Sequence, residues 1–441
     1  MANSKQIGNF GAVCVIIGSL VGSGIFVAPT VVAQFSPSHV VAGSIWILGA
    51  IMCLCGGMIY SKLAQHFPES GGQYIYIRQM VSPALAAVYG WMSFLLIGPL
   101  MIGGSALFFG EQMKFLYPNI SPLAVKATGI ALVFAFTYLN HRGIEIAGRL
   151  QGALVVLLIA TLFIVTGASY FTLDTAVQSV NIGTKTPSFD ANSVNKGLLA
   201  LAMVLWAFEG FNSATFITGE IKDGARQIQK IVLRALAIVT ASYFAFVFTV
   251  YRYIPYQDLI VSSNVGTDLA SLSFGSYAGT VVFVLTCLGI VTTIHTSIMI
   301  GPRITRSLAA DGLCWAKLSR IHPMYGSPSL ALWMQMIMAS VCLFAGSFQS
   351  LISLFVVVNW FFYGITAWGS VSLASQRNFF DRSIVFMFIV GVIALLSFQL
   401  ISQPGFTVSG LGFVWVLYFG LKRFFVGEGA VKNGSPERTL V

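Results

Sequence analysis

Apolar runs of about twenty residues follow one another along nearly the whole chain, which is the length a helix needs to cross the hydrocarbon of a bilayer. They lie near 9–34, 40–61, 84–109, 121–140, 146–171, 197–219, 231–254, 276–300, 328–346, 350–374, 383–402 and 405–425. Between the ninth and tenth runs the break is short, at Gly346 and Ser347. Charged residues make up only 9% of the sequence, so a soluble fold of 441 residues could not cover its surface. The pattern predicts an all-α integral membrane protein with about twelve spans. The N-terminus runs into the first span with no small-residue cleavage site, so no removable signal peptide is expected.

The net charge of +10 could suggest nucleic acid, but its distribution gives another reading. With the N-terminus inside, the outside segments hold only Lys114, Lys126, Lys185, Lys196 and Arg252 of the 24 basic residues. The rest fall on inside segments, which places both termini in the cytoplasm. Nucleic acid is therefore excluded as a partner, and the lipid bilayer is expected. The longest polar stretches, 62–83, 174–196 and 301–327, are too short for folded domains. One transmembrane domain over 1–425 is expected, with a cytoplasmic tail over 426–441. The cysteines Cys14, Cys53, Cys55, Cys287, Cys314 and Cys342 match no metal spacing and read as packing residues.

Two spans carry interruptions. The first contains Gly18-Ser19-Leu20-Val21-Gly22-Ser23-Gly24, which is poor helix material. It reads either as a broken helix whose freed N–H groups face an anion, or as close helix packing by small residues. The sixth contains Trp206-Ala207-Phe208-Glu209-Gly210-Phe211-Asn212. Glu209 is the one acidic residue so deep in a span, where a charge costs at least ~2.5 kcal/mol. It reads as a functional site or as a structural glutamate bonded to another helix. No lysine or arginine lies deep in a span to neutralise it. Breaks in spans one and six suggest two repeats of opposite topology, about 8–171 and 196–375, followed by helices over 383–425. Further cavity candidates are Thr292, Thr293, His295, Thr296 and Ser297 in span eight. In span ten, Asn359 and Tyr363 are four apart and share a helix face. The serines and threonines could equally bond their own helix backbone. No nucleophile–base pair, metal cluster or phosphate loop is present, so neither an enzyme nor a cofactor is expected.

Six segments then carry a family resemblance: GSGIFVAPT at 22–30, FPESGGQYIYIR at 67–78, NHRGIEIAGRLQ at 140–151, LWAFEGFNSATFITGEI at 205–221, AADGLCWAKLSRIHP at 309–323 and NWFFYG at 359–364. In this order they resemble the amino acid–polyamine–organocation superfamily, and within it the L-type amino acid transporter family. The resemblance implies the LeuT-type 5+5 inverted-repeat fold with broken helices 1 and 6. It implies that Ser23 and Gly24, beside Gly22, receive a substrate carboxylate. Carbonyls around Ser19, Leu20, Trp206, Ala207 and Glu209 would receive the ammonium. Trp206 resembles the aromatic gate, and Asn212 and Asn359 match positions that line the pocket or link its helices; Thr293 and Ser297 stay pocket candidates.

The implied function is sodium-independent transport, by exchange, of neutral and possibly cationic L-amino acids. A proton-coupled symporter or uniporter, or an amino acid/polyamine antiporter, of the same fold is the alternative. Two departures from the family matter. Span five has Leu157-Leu158 where some relatives place a lysine, and the segment 110–120 lacks the cysteine that animal light subunits use for a disulfide to a heavy subunit. No such disulfide-linked partner is expected. The implied location is the plasma membrane, as a multi-pass protein, with a bacterial inner membrane favoured.

Overall fold

A computed structural model describes residues 6–22, 24–36, 38–172, 191–261, 265–346, 348–375 and 379–427. Ser23, most of the polar stretch 174–196 and the tail from 428 onward lie outside the described residues. The described residues are mostly helical: α1 (Asn9–Leu20), α2 (Gly24–Gln34), α3 (His39–His66), α4 (Gln73–Met80), α5 (Pro83–Met92), α6 (Gly98–Gln112), α7 (Pro122–His141), α8 (Ile144–Thr172) and α9 (Ala191–Ala207). Then come α10 (Gly224–Tyr253), α11 (Tyr256–Val261), α12 (Val265–Phe274), α13 (Ala278–Ala310), α14 (Ser329–Cys342), α15 (Phe348–Gly369), α16 (Val371–Ser375), α17 (Phe379–Ser402) and α18 (Pro404–Gly427). A π-helical turn, Ser93–Ile97, joins α5 to α6.

Nine helical stretches are long and apolar enough to cross a membrane among the described residues. Asn9–Leu20, Gly197–Ala207 and Ser329–Cys342 are apolar but shorter. Adding these three to the nine, with Asn9–Leu20 as part of the broken first span, reaches the expected number of about twelve. Large apolar side chains remain exposed on the outer faces, such as Val156, Leu157, Phe163 and Ile164 on α8 and Val408, Trp415 and Val416 on α18. Water would not tolerate such a belt, whereas lipid needs no other covering.

Two groups of helices meet at the centre. In one, α1, α2, α3, α9 and α10 pack on each other. In the other, α6 is wrapped by α7, α13, α14 and α15, and α13 also packs on α8. The groups touch where α13 crosses α1. That crossing is close because Gly289 faces Gly22; a Cβ on Gly289 would lie 3.2 Å from the Gly22 carbonyl carbon and oxygen.

At the end expected to face the cytoplasm, polar ties join these groups. Ile7 pairs with Ile221 in an isolated parallel bridge, with Ile7 N–H donating to Glu220 O at 2.8 Å and Lys222 N–H to Ile7 O at 3.0 Å. The Glu220 carboxylate accepts from Arg303 Nε at 2.9 Å and Nη2 at 2.8 Å. Arg303 also donates to Met299 O at 2.6 Å. Its side chain is 2% exposed. This fork is a buried ion pair that the absence of deep basic residues did not suggest, because α13 runs to Ala310, beyond the expected end of the eighth span. An arginine suits the place since its planar fork matches both carboxylate oxygens. Arg303→Lys keeps the charge but loses the fork. Its unfolding midpoint in detergent should fall, by a change worth about 1–2 kcal/mol. An unchanged midpoint would show that the pair adds nothing to stability.

The polar stretch after α3 is also built by particular residues. Gly71 and Gly72 take φ of +129° and +51°, values that L side chains rarely adopt. Gly71 N–H donates to Phe216 O at 2.9 Å, and a Cβ on Gly72 would meet the Phe216 ring at 2.6 Å. Arg78 and Tyr74 then reach Asp311 beyond α13, each at 2.6 Å.

Candidate substrate site

Both interruptions are real breaks in helix. α1 ends at Leu20 and α2 starts at Gly24. α9 ends at Ala207, and a 3₁₀ segment starts at Ser213. Gly210 between them has φ +112°. The first α2 N–H groups have no helical acceptor, and the last carbonyls of α1 and α9 have no helical donor. One positive helix end and two negative ends therefore meet.

They meet around a cavity. Ser19, Leu20, Gly22 and Gly24 line it from the first break, and Trp206, Ala207 and Glu209 from the second. Met101 and Ser105 on α6 and Ile290 and Thr293 on α13 complete it. Gly24 allows a close approach of the two breaks, since a Cβ there would lie 3.0 Å from Ala207 Cα. Thr293 Oγ1 lies 3.3 Å from Gly18 O and 3.1 Å from Gly289 O, tying α13 to the break.

Helix-end carbonyls are not all free. Leu20 O accepts from Gly22 N–H at 2.9 Å and from Tyr243 Oη–H at 2.7 Å. Tyr243 Oη is also 3.0 Å from Ala207 O, so its one hydrogen serves the end of α1 or the end of α9 at a time. Leu20 lines the cavity.

Glu209 is 5% exposed. Its Oε1 accepts from Asn359 Nδ2 at 2.8 Å and from the Tyr363 hydroxyl in a short bond. Its Oε2 is buried and has no partner. No ion pair among the described residues includes Glu209. The shared helix face of Asn359 and Tyr363 read from the sequence is observed.

Three candidates stand one layer out from the cavity. Asn212 Oδ1 lies 3.3 Å from the Tyr363 hydroxyl. Asn359 acts through Glu209. Ser297 donates to Thr293 O at 2.9 Å, its own helix backbone. His295 is fully buried and its Nδ1 is 2.6 Å from Gln151 Oε1. All six cysteines are free thiols.

Broken helices around a central, water-poor cavity define a membrane carrier of the LeuT type. The profile of the amino acid permease family matches residues 7–427, and the chain belongs to that family. The superfamily resemblance read from the motifs is borne out, and the function class is amino acid transport across a membrane. The chain is similar to the "Serine/threonine exchanger SteT" of Bacillus subtilis (strain 168), 26% identical over 85% of this chain and 84% of that protein. It is 24% identical to the mouse (Mus musculus) "b(0,+)-type amino acid transporter 1" over 91% of this chain and 82% of that one. It is 25% identical to the human "Asc-type amino acid transporter 1" over 97% and 83% respectively.

Proposed function

We propose that the chain is a sodium-independent exchanger of small neutral and cationic L-amino acids. The observation that carries this is the cavity where two negative helix ends and one positive end converge beside a buried glutamate. An amino acid zwitterion needs a donor cluster and an acceptor cluster a few ångströms apart. The start of α2, at Gly24, supplies donors for the carboxylate. The carbonyls of Ser19, Trp206 and Ala207 and the Glu209 region supply acceptors for the ammonium. Trp206 closes one wall, as a gate would. Glu209 adds a negative charge that a neutral substrate does not need, so it favours substrates with a second cation. The relatives include a serine/threonine exchanger and a b(0,+)-type amino acid transporter, which supports amino acid exchange. In this reading, α1, α2, α3, α9 and α10 rock against the rest, and the ties at Ile7, Glu220 and Arg303 part when that end opens.

Reconstitution in liposomes tests this. Labelled alanine and labelled lysine should enter vesicles preloaded with unlabelled amino acid, without sodium or a pH gradient, and should not enter empty ones. Uptake into empty vesicles at the same rate would overturn exchange; uptake that needs a pH gradient would establish proton coupling instead.

A further inference from the structure

The hydrogen bonds to Glu209 are lopsided. An ionised carboxylate offers about four acceptor sites over two oxygens. Inside a membrane each donor counts, because no bulk water replaces it. Yet both donors, Asn359 Nδ2 and the Tyr363 hydroxyl, go to Oε1. Oε2 is buried without a partner. Two buried donors nearby make no hydrogen bond: Asn212 Nδ2 and the Trp360 indole N–H, the latter beside the Glu209 carboxyl group. Had the network served only to satisfy the charge, spreading donors over both oxygens would have served better. The arrangement instead fixes the carboxyl group at one end and leaves Oε2 buried without a hydrogen bond. Both donors come from α15, on the scaffold side, while Glu209 sits in the break of the α9 span. Tyr363 is itself held in a ring cluster with Tyr60, Phe211 and Trp360, at centroid distances of 5.7, 5.1 and 5.4 Å. Its hydroxyl position is therefore set by packing that does not depend on Glu209.

We infer that Asn359 and Tyr363 are positioning residues for charge selection: they pin Oε1 of Glu209 and leave Oε2 as the acceptor for the side-chain cation of a lysine- or arginine-class amino acid. This rests on the reading of Glu209 as the cation-selecting group. A prepositioned acceptor binds more tightly than one that must first be ordered, because the ordering is done before the ligand arrives. Neutral amino acids do not use Oε2 and gain nothing from its aim.

The test is equilibrium binding of labelled L-lysine and L-alanine to purified full-length protein, in wild type, Tyr363→Phe, Asn359→Leu and Glu209→Gln. Retained alanine binding shows that Tyr363→Phe and Asn359→Leu are folded, and an unchanged unfolding midpoint in detergent shows it for Glu209→Gln. Tyr363→Phe and Asn359→Leu should each weaken lysine by roughly 3–10-fold, the size of one hydrogen bond, with alanine within about twofold. In the Glu209→Gln background, Tyr363→Phe should no longer change the lysine-to-alanine ratio. If both α15 variants leave that ratio at the wild-type value, or weaken the two ligands alike, while Glu209→Gln shifts it, the positioning role is overturned and the selecting role stands. A ratio untouched by Glu209→Gln overturns the selecting role, and with it the inference.

Discussion

Gly24→Val should abolish transport while the protein still reaches the membrane and purifies as a folded species. The first residue of α2 faces the last residue of α9 so closely that a methyl group is already tight. A Cβ at 24 would lie 3.0 Å from Ala207 Cα, 3.3 Å from Ala207 Cβ and 3.5 Å from Trp206 Cε3. Valine adds two further methyls, and in any rotamer they press on Ala207, on the Trp206 ring or on the cavity that these residues line. Backbone on both sides must move, since Ala207 Cα, Ala207 Cβ and the Trp206 ring include no flexible chain end that could yield. Overpacking of this kind costs about 1–3 kcal/mol in a core. Here the displacement falls on the two helix ends that form the site, where an ångström of misplacement costs about a hundredfold in rate. Exchange in liposomes at equal reconstituted protein should drop below roughly 1% of wild type. Gly24→Ala, which needs a shift of only a few tenths of an ångström, should keep measurable exchange. Near-normal transport by Gly24→Val would show that the two breaks do not frame the substrate.

The residues that the sequence exposed were those whose presence in a membrane is costly. Glu209 stood out because an acid in a span is expensive, and the run 18–24 because glycine is a poor helix former. Both proved to be at the cavity. What stayed hidden was hidden for physical reasons. Met101 and Ile290 line the cavity, but an apolar residue in an apolar helix gives no sign of which side it faces. Ser105 follows Gly103 and Gly104, a small-residue cluster that could have drawn notice as a close approach. Tyr243 is one of 15 tyrosines, and its role depends on two carbonyls more than thirty residues away. The family resemblance marked Asn212 as lining the pocket or linking its helices, and which of its atoms meets Tyr363 of α15 needed the tertiary contacts. The motif at 67–78 was readable as a family mark. That it is a glycine turn seated on Phe216 and leading into α4, tied through Arg78 to Asp311, needed the tertiary contacts.

Glu209→Gln should separate cationic from neutral substrates. Glutamine has the shape of glutamate, and its carbonyl oxygen can take the place of Oε1 toward Asn359 and Tyr363. The fold and the cavity wall are therefore retained. What changes is the charge, and the second position becomes an NH₂ donor in place of a free acceptor. For a lysine or arginine side chain this removes a charge-assisted hydrogen bond in a water-poor site and sets a donor against a donor. Such a bond is worth about 1.5–3 kcal/mol. The half-saturation concentration for lysine should rise roughly 10–100-fold. For alanine or leucine, which place nothing cationic there, it should stay within about twofold. The low dielectric makes the contrast larger than at a surface, since Coulomb attraction is weakly screened away from water. The measurement is exchange in loaded liposomes over a range of each labelled substrate. An equal loss for both classes would assign Glu209 a structural or coupling role. Loss for lysine alone would place the side-chain charge of the substrate beside Glu209, between the break in the α9 span and the hydroxyl and amide of α15.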